Sequence, residues 1–171
     1  MVRVQRVALE LDEPYYTEIG AILHKWATLE YLLQNIIWRA MKLDNKQGRV
    51  LTMGMGINGL VGILRNLPRR WISDEGIAAE LSKLIKAVQD KVEMRNYLSH
   101  GVWTIDPQDA SQTPQLNYMR IGSERIMPGA EAITPDQLRE FAMVVTKLDE
   151  WAHGILVTIG GVDAPATDQT S

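Results

Sequence analysis

The sequence predicts a mainly α-helical fold, an up-and-down bundle of long amphipathic helices with a small β-hairpin inserted before the last helix. Three stretches place apolar residues at a helical period over more than about five turns each, a dependable signal of secondary structure. Between residues 102 and 121 the pattern changes to that of short strands. The 171 residues contain no internal repeat and predict one domain with its own core.

The first long helix is predicted to begin after Asp12, a suitable N-cap residue, and to end near Lys42. Residues 1–13 alternate apolar and polar side chains in part and predict an N-terminal arm or short strand. The apolar face of the helix is formed by Ile19, Ile22, Leu23, Trp26, Leu29, Leu33, Ile36, Ile37 and Ala40.

Glycines interrupt the next apolar stretch, which predicts two shorter helices that meet near Gly54–Gly56, with Pro68 ending the second. Ser73 is the predicted cap of another long helix, which Gly101 should end. We call it the motif helix, because the segment Arg95–His100 lies at its end. Its apolar face is formed by Ile77, Leu81, Leu84, Ile85, Val88 and Val92.

Two short strands, residues 102–106 and 115–121, are predicted after the motif helix, with a polar loop between them that proline bounds at both ends. We expect the hairpin insertion to occupy about residues 102–132. A capping box of Thr134 and Gln137, with proline at the first helical position, then opens the last helix.

The last helix should stop at Gly160–Gly161, because glycine is common just past helix ends. Residues 161–171 are small and polar, and they predict a disordered tail. The helical domain is therefore expected to span residues 14–160.

The composition limits the classes of function. With 18 basic and 21 acidic side chains the net charge is -3, so that any nucleic-acid site must be local. The chain has no cysteine, which excludes disulfides, thiol catalysis and cysteine-ligated metals. Its start lacks the apolar run of a signal peptide, and no stretch of about 18 apolar residues occurs. We expect a cytoplasmic protein with no membrane association.

Two motifs resemble cofactor or metal sites but have simpler explanations, a helix break or close helix packing for the first and a solvent-facing or flanking pair for the second. Gly54–Gly59 reads G-x-G-x-x-G with Asp74 beyond it, yet helices flank it where a dinucleotide fold needs strands. Glu150 and His153 match half of a helical di-iron site, but the second copy is absent and both residues lie off the apolar face. His24 also lies off the apolar face and predicts a surface side chain. We expect no metal and no cofactor.

The most informative group is Arg95, Asn96 and His100 at the end of the motif helix. At about 100° per residue, Arg95 falls in the middle of the apolar face. Burying a lone guanidinium costs several kcal/mol, so it needs a carboxylate, a subunit interface or an anionic ligand. Asn96 and His100 are four residues apart and share a neighbouring face.

These three side chains suit phosphodiester cleavage. An imidazole, with a reference pKa near 6.5, can accept a proton from a nucleophilic hydroxyl or return one to a leaving oxygen. A guanidinium can bind a phosphate through two N–H groups and stabilise the charge that develops on its oxygens. An asparagine can orient the imidazole or the hydroxyl. When the nucleophile is the ribose 2′-OH, the reaction needs no metal.

Arg95-Asn96 followed by His100-Gly101, at the end of a bundle helix, resembles the R-x(4 to 6)-H motif of HEPN domains. The helix with Trp26–Leu33, the motif helix and the closing amphipathic helix follow the order of elements in that family, although only the six-residue motif is specific. The resemblance implies an all-α bundle, usually a homodimer that joins two motifs in one cleft, and in many members metal-independent endoribonuclease activity.

By this resemblance Arg95 and His100 are catalytic, Asn96 is part of the same site, and Ser99 inside the motif is supporting. The hairpin insertion departs from the family. It could cover the cleft, shape substrate choice or serve dimerisation.

Two functions stay open at this point. The first is an RNA-cleaving HEPN-like homodimer, a toxin or defence effector whose further partner would be an antitoxin or a nucleotidyltransferase. The second is a non-catalytic dimerisation, regulatory or nucleotide-binding module in which Arg95 and His100 are structural.

Glu30 is a second charge on an apolar face, that of the first long helix. Each charge alone would carry a heavy desolvation penalty. We therefore expect the two helices to pack and to pair Glu30 with Arg95, which either locks the helices or orients the guanidinium for a phosphate.

A local basic cluster, Arg65, Arg69 and Arg70, lies beside Trp71 in the sequence. Cations next to an aromatic ring are typical of contacts with single-stranded RNA. The alternative is a solvated helix end with the tryptophan in the core.

Overall fold

The computed structural model describes residues 7–8, 10–105, 112–121 and 126–162. The elements in chain order are β1 (Val7–Ala8), α1 (Glu13–Ala40), α2 (Asn45–Thr52), α3 (Ile57–Leu64), α4 (Leu67–Arg70), α5 (Glu75–His100), β2 (Val102–Ile105), β3 (Gln115–Ile121), β4 (Ile126–Ala132) and α6 (Pro135–Val162). The predicted class, mainly helical with a small antiparallel sheet, is confirmed.

The long helices α1, α5 and α6 form where the apolar periodicity predicts them. The capping box of α6 is complete, because the Thr134 N–H donates to Gln137 Oε1 at 2.8 Å and the Gln137 N–H donates to Thr134 Oγ1 at 3.3 Å. The predicted cap of α5 is wrong. Asp74 takes this role instead of Ser73, with Oδ1 accepting from the Ile77 N–H at 2.9 Å, since a carboxylate is favoured at the positive end of a helix.

The predicted end of α6 is also wrong, because the helix continues through Gly160 and Gly161 to Val162. Glycine inside a helix costs only about 1 kcal/mol relative to alanine, so it does not stop a helix by itself. The rest of the predicted tail, residues 163–171, lies outside the described residues.

The glycine-rich segment folds into α2 and α3 with a break between them, as predicted. Gly54 in the break has φ 73°, the left-handed region that favours glycine. The prediction for Pro68 is wrong. The helix α3 ends at Leu64, and Pro68 lies in the first turn of α4, where the missing N–H of proline is not needed.

The predicted hairpin is present, with Trp103 of β2 opposite Leu116 of β3 in an antiparallel pair. The sheet order is β1-β2-β3-β4, and β4 pairs with the whole of β3. The sequence did not predict β4, because Pro128 and Gly129 are rare inside strands. An edge strand tolerates them, since one of its sides forms no ladder.

The described residues belong to two compact units. The sheet unit takes its residues from 1–25 and 91–145, and the helical unit takes its residues from 26–90 and 146–171. The divisions fall inside α1, α5 and α6, so that each of these helices contributes residues to both units.

The sheet unit has an apolar core in which Tyr15 is the polar exception. The ring of Tyr15 meets Trp103 edge-on with centroids 5.6 Å apart, and its hydroxyl donates to the Ile133 carbonyl at 3.0 Å. Leu98, in the last turns of α5, is part of this core and therefore fixes the end of the motif helix. The buried residues are Leu11, Tyr15, Ile22, Leu98, Trp103, Leu116, Ile133, Leu138 and Ala142.

In the helical unit the predicted apolar faces of α1 and α5 are buried. Its fully buried large side chains are Trp26, Leu29, Leu33, Ile36, Ile37, Leu60, Leu64, Leu67, Leu81 and Leu84. Among the described residues no single helix is both long enough and apolar enough to cross a bilayer. The segments Asn45–Thr52 and Ile57–Arg70 meet these two criteria only when they are taken together, and the chain bends by 117° between them.

Candidate functional site

The end of α5 places the motif residues next to the sheet. The helix stops at His100, where the Gly101 N–H donates to the Tyr97 carbonyl at 2.7 Å and the chain continues into β2. A Cβ at Gly101 would lie 2.5 Å from that carbonyl oxygen and 2.4 Å from Leu116 Cδ1. Only glycine therefore permits β3 to approach the helix end this closely.

Arg95 is half-buried, as its place on the apolar face predicts. Its Nη1 donates to Asn96 Oδ1 at 3.2 Å, and its Nε is buried with no hydrogen-bond partner among the described residues. A guanidinium has five N–H donors, so this bond orients the group and uses one of them. Arg95 is not among the residues that line the pocket formed by Asn96 and His100. Ser99 Oγ donates to the Arg95 carbonyl at 3.1 Å, which is a contact inside the helix and gives Ser99 a structural role.

His100 and Asn96 line one pocket of about 430 Å³. This volume lies in the range of small-molecule sites. His100 is exposed and therefore accessible to a ligand. The pocket lies wholly within the sheet unit, and its remaining lining residues are Glu93, Tyr97, Gly101, Tyr118 and Met119.

An aromatic pair forms one wall of the pocket. The rings of Tyr97 and Tyr118 stack with centroids 3.7 Å apart and an interplanar angle of 11°. The Tyr97 hydroxyl donates to the carboxylate of Glu93. A Cβ at Gly129, opposite Tyr118 in the sheet, would lie 2.3 Å from the Tyr118 ring, so that this ring packs directly on the glycine.

The wall was only partly predictable. Tyr97 lies inside the R-x4-H segment, and its aromatic side chain was the available signal. Tyr118 and Met119 come from β3, and their place beside His100 depends on a strand register that the sequence does not specify. The hairpin thus supplies Tyr118 and Met119 to the lining of the pocket.

Glu30 is half-buried, and Oε1 accepts a hydrogen bond of 3.0 Å from Trp26 Nε1, one turn earlier in α1. It belongs to the helical unit, whereas Arg95 belongs to the sheet unit. The partners of both side chains described above lie on their own helices. The Glu30–Arg95 ion pair therefore stays a prediction.

The basic cluster lies in the helical unit, where Arg65, Arg69 and Arg70 are all exposed. Trp71 follows α4 and is 51% exposed. The alternative that placed this tryptophan in the core is therefore wrong, and the ring is available next to the cations.

The remaining motifs lie where the sequence analysis placed them. The Gly54–Gly59 segment follows a helix, not a strand, and contains the break between α2 and α3. Glu150, His153 and His24 are exposed. Among the described residues no group of three or more His, Asp and Glu side chains is placed to hold a metal ion.

No family model, curated protein or solved structure matches this chain. The argument for function therefore depends on the motif at the end of α5 and on its surroundings.

Proposed function

We propose that this protein is a metal-independent endoribonuclease of the HEPN type. The observation that carries the proposal is the lining of one pocket by both Asn96 and His100, with the Arg95 guanidinium bonded to Asn96. A general base and a phosphate-binding cation promote cleavage through the 2′-OH, and an amide can orient them.

The residues have distinct roles in the proposed reaction. His100 accepts the proton of the ribose 2′-OH, and the 2′ oxygen attacks the adjacent phosphorus. Arg95 stabilises the negative charge that develops on the phosphate oxygens, and Asn96 orients the guanidinium. The P–O5′ bond breaks, and the 5′ oxygen leaves with a proton returned by an imidazolium. The products are a 2′,3′-cyclic phosphate and a 5′-hydroxyl.

The positions of Glu93 and His100 in the pocket determine how the substrate is oriented. Glu93 and His100 both line it and are seven residues apart on α5, which is about 10 Å along the helix. The carboxylate of Glu93 repels phosphate, so the scissile phosphate lies at the His100 end. The space between Glu93 and Met119 then accommodates a nucleoside.

We further propose a cytoplasmic homodimer in which two copies of the motif share one cleft, so that the second His100 supplies the leaving-group proton. A toxin or defence effector of this kind would have an antitoxin or a nucleotidyltransferase as its partner. Arg65, Arg69 and Arg70 are proposed contacts of the RNA outside the pocket.

Incubation of the purified protein with single-stranded RNA in excess EDTA tests the activity. We expect cleavage that His100→Ala lowers by about 10²- to 10⁴-fold, the usual contribution of a general base. His153→Ala, which removes another exposed imidazole, is the matched control and should leave the rate unchanged. Arg95→Lys keeps the charge but loses the two-pronged contact, and it should also slow cleavage.

Two results would contradict this function. Cleavage of DNA, or of RNA with a 2′-deoxy group at the scissile position, would exclude attack by the 2′-OH. A protein that is folded and dimeric by light scattering but never cuts RNA in EDTA would favour the non-catalytic dimerisation or nucleotide-binding module.

A further inference from the structure

Basic residues are concentrated in one part of the chain. Residues 39–73 contain seven of the 18 lysines and arginines but one of the 21 acidic residues. The rest of the chain is therefore acidic. All seven basic side chains are exposed and belong to the helical unit: Arg39, Lys42, Lys46, Arg49, Arg65, Arg69 and Arg70.

Two depressions in the surface of the helical unit adjoin at Lys42. One, of about 480 Å³, is lined by Arg39, Lys42 and Asn35 among others. The other, of about 120 Å³, is lined by Lys42 and Trp71 among others. Lys42, just past the end of α1, lines both depressions and shares one of them with Trp71, the residue that follows Arg70. We call Arg39, Lys42, Arg70 and Trp71 the basic surface.

Each depression also contains one carboxylate, and each carboxylate caps a helix. Asp44 Oδ1 accepts from the N–H groups of Lys46 and Gln47, both at 2.8 Å, at the start of α2. Asp74 Oδ1 accepts from the Ile77 N–H at 2.9 Å at the start of α5. The partial positive charge of a helix N-terminus offsets these carboxylates, so the cations determine the local field.

The backbone at Lys42 adds an independent observation. Its φ is 55°, a left-handed conformation that is unfavourable for residues other than glycine. The Lys42 N–H donates to the Arg39 carbonyl at 3.1 Å, and the Leu43 N–H donates to the Trp38 carbonyl at 2.9 Å. This is the Schellman ending of a helix, in which glycine is the usual residue. A lysine is therefore not the residue that this helix end favours, and it stands where it lines both depressions.

We propose that the basic surface binds a single-stranded polynucleotide. Its phosphates contact Arg39, Lys42 and Arg70, and one base stacks on Trp71, half of which is exposed. Cations beside an exposed aromatic ring fit a single strand better than a duplex, because paired and stacked bases present no free faces. This site lies in the helical unit and does not depend on the chemistry assigned to His100.

An anionic membrane is the competing occupant, and two apolar residues distinguish it. Val50, on α2 with Lys46 and Arg49, is 70% exposed, and Met53, which directly follows that helix, is 82% exposed. A membrane would bury these apolar side chains, whereas a polynucleotide does not need them.

The test measures binding by fluorescence anisotropy with a labelled RNA of about 12 nucleotides, methylated at every 2′ oxygen so that the 2′-OH reaction cannot occur. DNA of the same base sequence is the second arm. The variants are Lys42→Gly, Lys42→Asn and Trp71→Ala. Lys147→Gln removes an exposed lysine of α6 in the same unit and is the matched control.

We expect Lys42→Gly to raise the urea midpoint of unfolding and yet to weaken binding, with the slope of log Kd against log salt smaller by about one. Lys42→Asn also tolerates the left-handed backbone and should weaken binding equally. Trp71→Ala should weaken binding about fivefold or more. Lys147→Gln should bind like the wild type. Binding of RNA alone or of both polymers supports the proposal and identifies the ligand.

Unchanged affinity in both Lys42 variants, or an equal loss in Lys147→Gln, would overturn the proposal. So would sedimentation with phosphatidylserine vesicles that Val50→Asp or Met53→Asp abolishes, in a protein that binds neither oligonucleotide. The two proposals fail separately: a wild-type protein that binds the oligonucleotide at the basic surface but never cleaves RNA in EDTA would overturn the proposed reaction alone.

Discussion

Gly101, which joins the motif helix to the sheet, should not tolerate even a methyl group. In Gly101→Ala the new Cβ would lie 2.5 Å from the Tyr97 carbonyl oxygen, 2.4 Å from Leu116 Cδ1 and 3.0 Å from the Asn117 carbonyl oxygen. Ordinary carbon contacts lie near 3.5 to 4.0 Å. The leucine methyl can rotate away, but the two carbonyls are backbone. The last turn of α5 must deform to clear the Tyr97 oxygen, and β3 must shift by a few tenths of an ångström to clear the Asn117 oxygen.

The expected magnitude follows from two opposing effects. Overpacking of a well-packed site costs about 1–3 kcal/mol, and the strained hydrogen bond from the Gly101 N–H to Tyr97 adds about 1 kcal/mol. Alanine restricts the unfolded chain and returns about 0.4–1 kcal/mol. The variant should therefore lose about 1–3 kcal/mol of unfolding free energy.

Urea unfolding followed by circular dichroism measures this loss as a lower midpoint at an unchanged slope. The matched control is Gly20→Ala in the exposed middle of α1, where a Cβ would meet nothing within 4 Å. That variant should gain about 0.5–1 kcal/mol, because alanine is the better helix former. A Gly101→Ala midpoint at or above the wild-type value would refute the steric argument, as would equal losses in both variants.

Two further predictions concern the helix cap and the core tyrosine. Thr134→Ala should lower the unfolding free energy by about 1 kcal/mol in the same urea assay, because it removes the side-chain half of the capping box, whereas Thr158→Ala within α6 should change it little. Burial, and then the Asp12 carboxylate, raise the pKa of Tyr15. The folded state therefore keeps this proton to higher pH than the unfolded chain, and stability should fall as the pH rises above about 10. Tyr15→Phe should remove that part of the alkaline slope, and an identical slope in the variant would exclude Tyr15 as its source.

The long helices were predictable because their evidence is local. The apolar period of α1, the capping box at Thr134 and the stop at Gly101 each depend on residues close together in sequence. The errors arose where two local signals competed. Ser73 and Asp74 both suit a cap, and Pro68 can end one helix or begin another, so that the residue types alone do not choose between the two positions.

The candidate site, too, could be predicted only in the part that depends on residues close together in sequence. Arg95, Asn96 and His100 could be found because one helix end carries all three. The Tyr97–Tyr118 wall required the pairing of β3 with β2 and β4, which joins residues far apart in sequence. The basic surface could not be predicted in full, because the role of Lys42 was inferred from its backbone angle. No residue pattern predicts that a lysine will occupy a position usual for glycine.

The packing of Tyr118 between Tyr97 and Gly129 has a thermodynamic consequence. A tyrosine that is free to rotate loses conformational entropy when a ligand immobilises it, and the binding free energy is reduced by that amount. Here folding has already fixed the ring, with one neighbour in α5 and the other in β4. The nucleoside proposed to bind beside His100 would therefore meet a preorganised wall, and substitutions at Gly129 would alter its affinity through Tyr118.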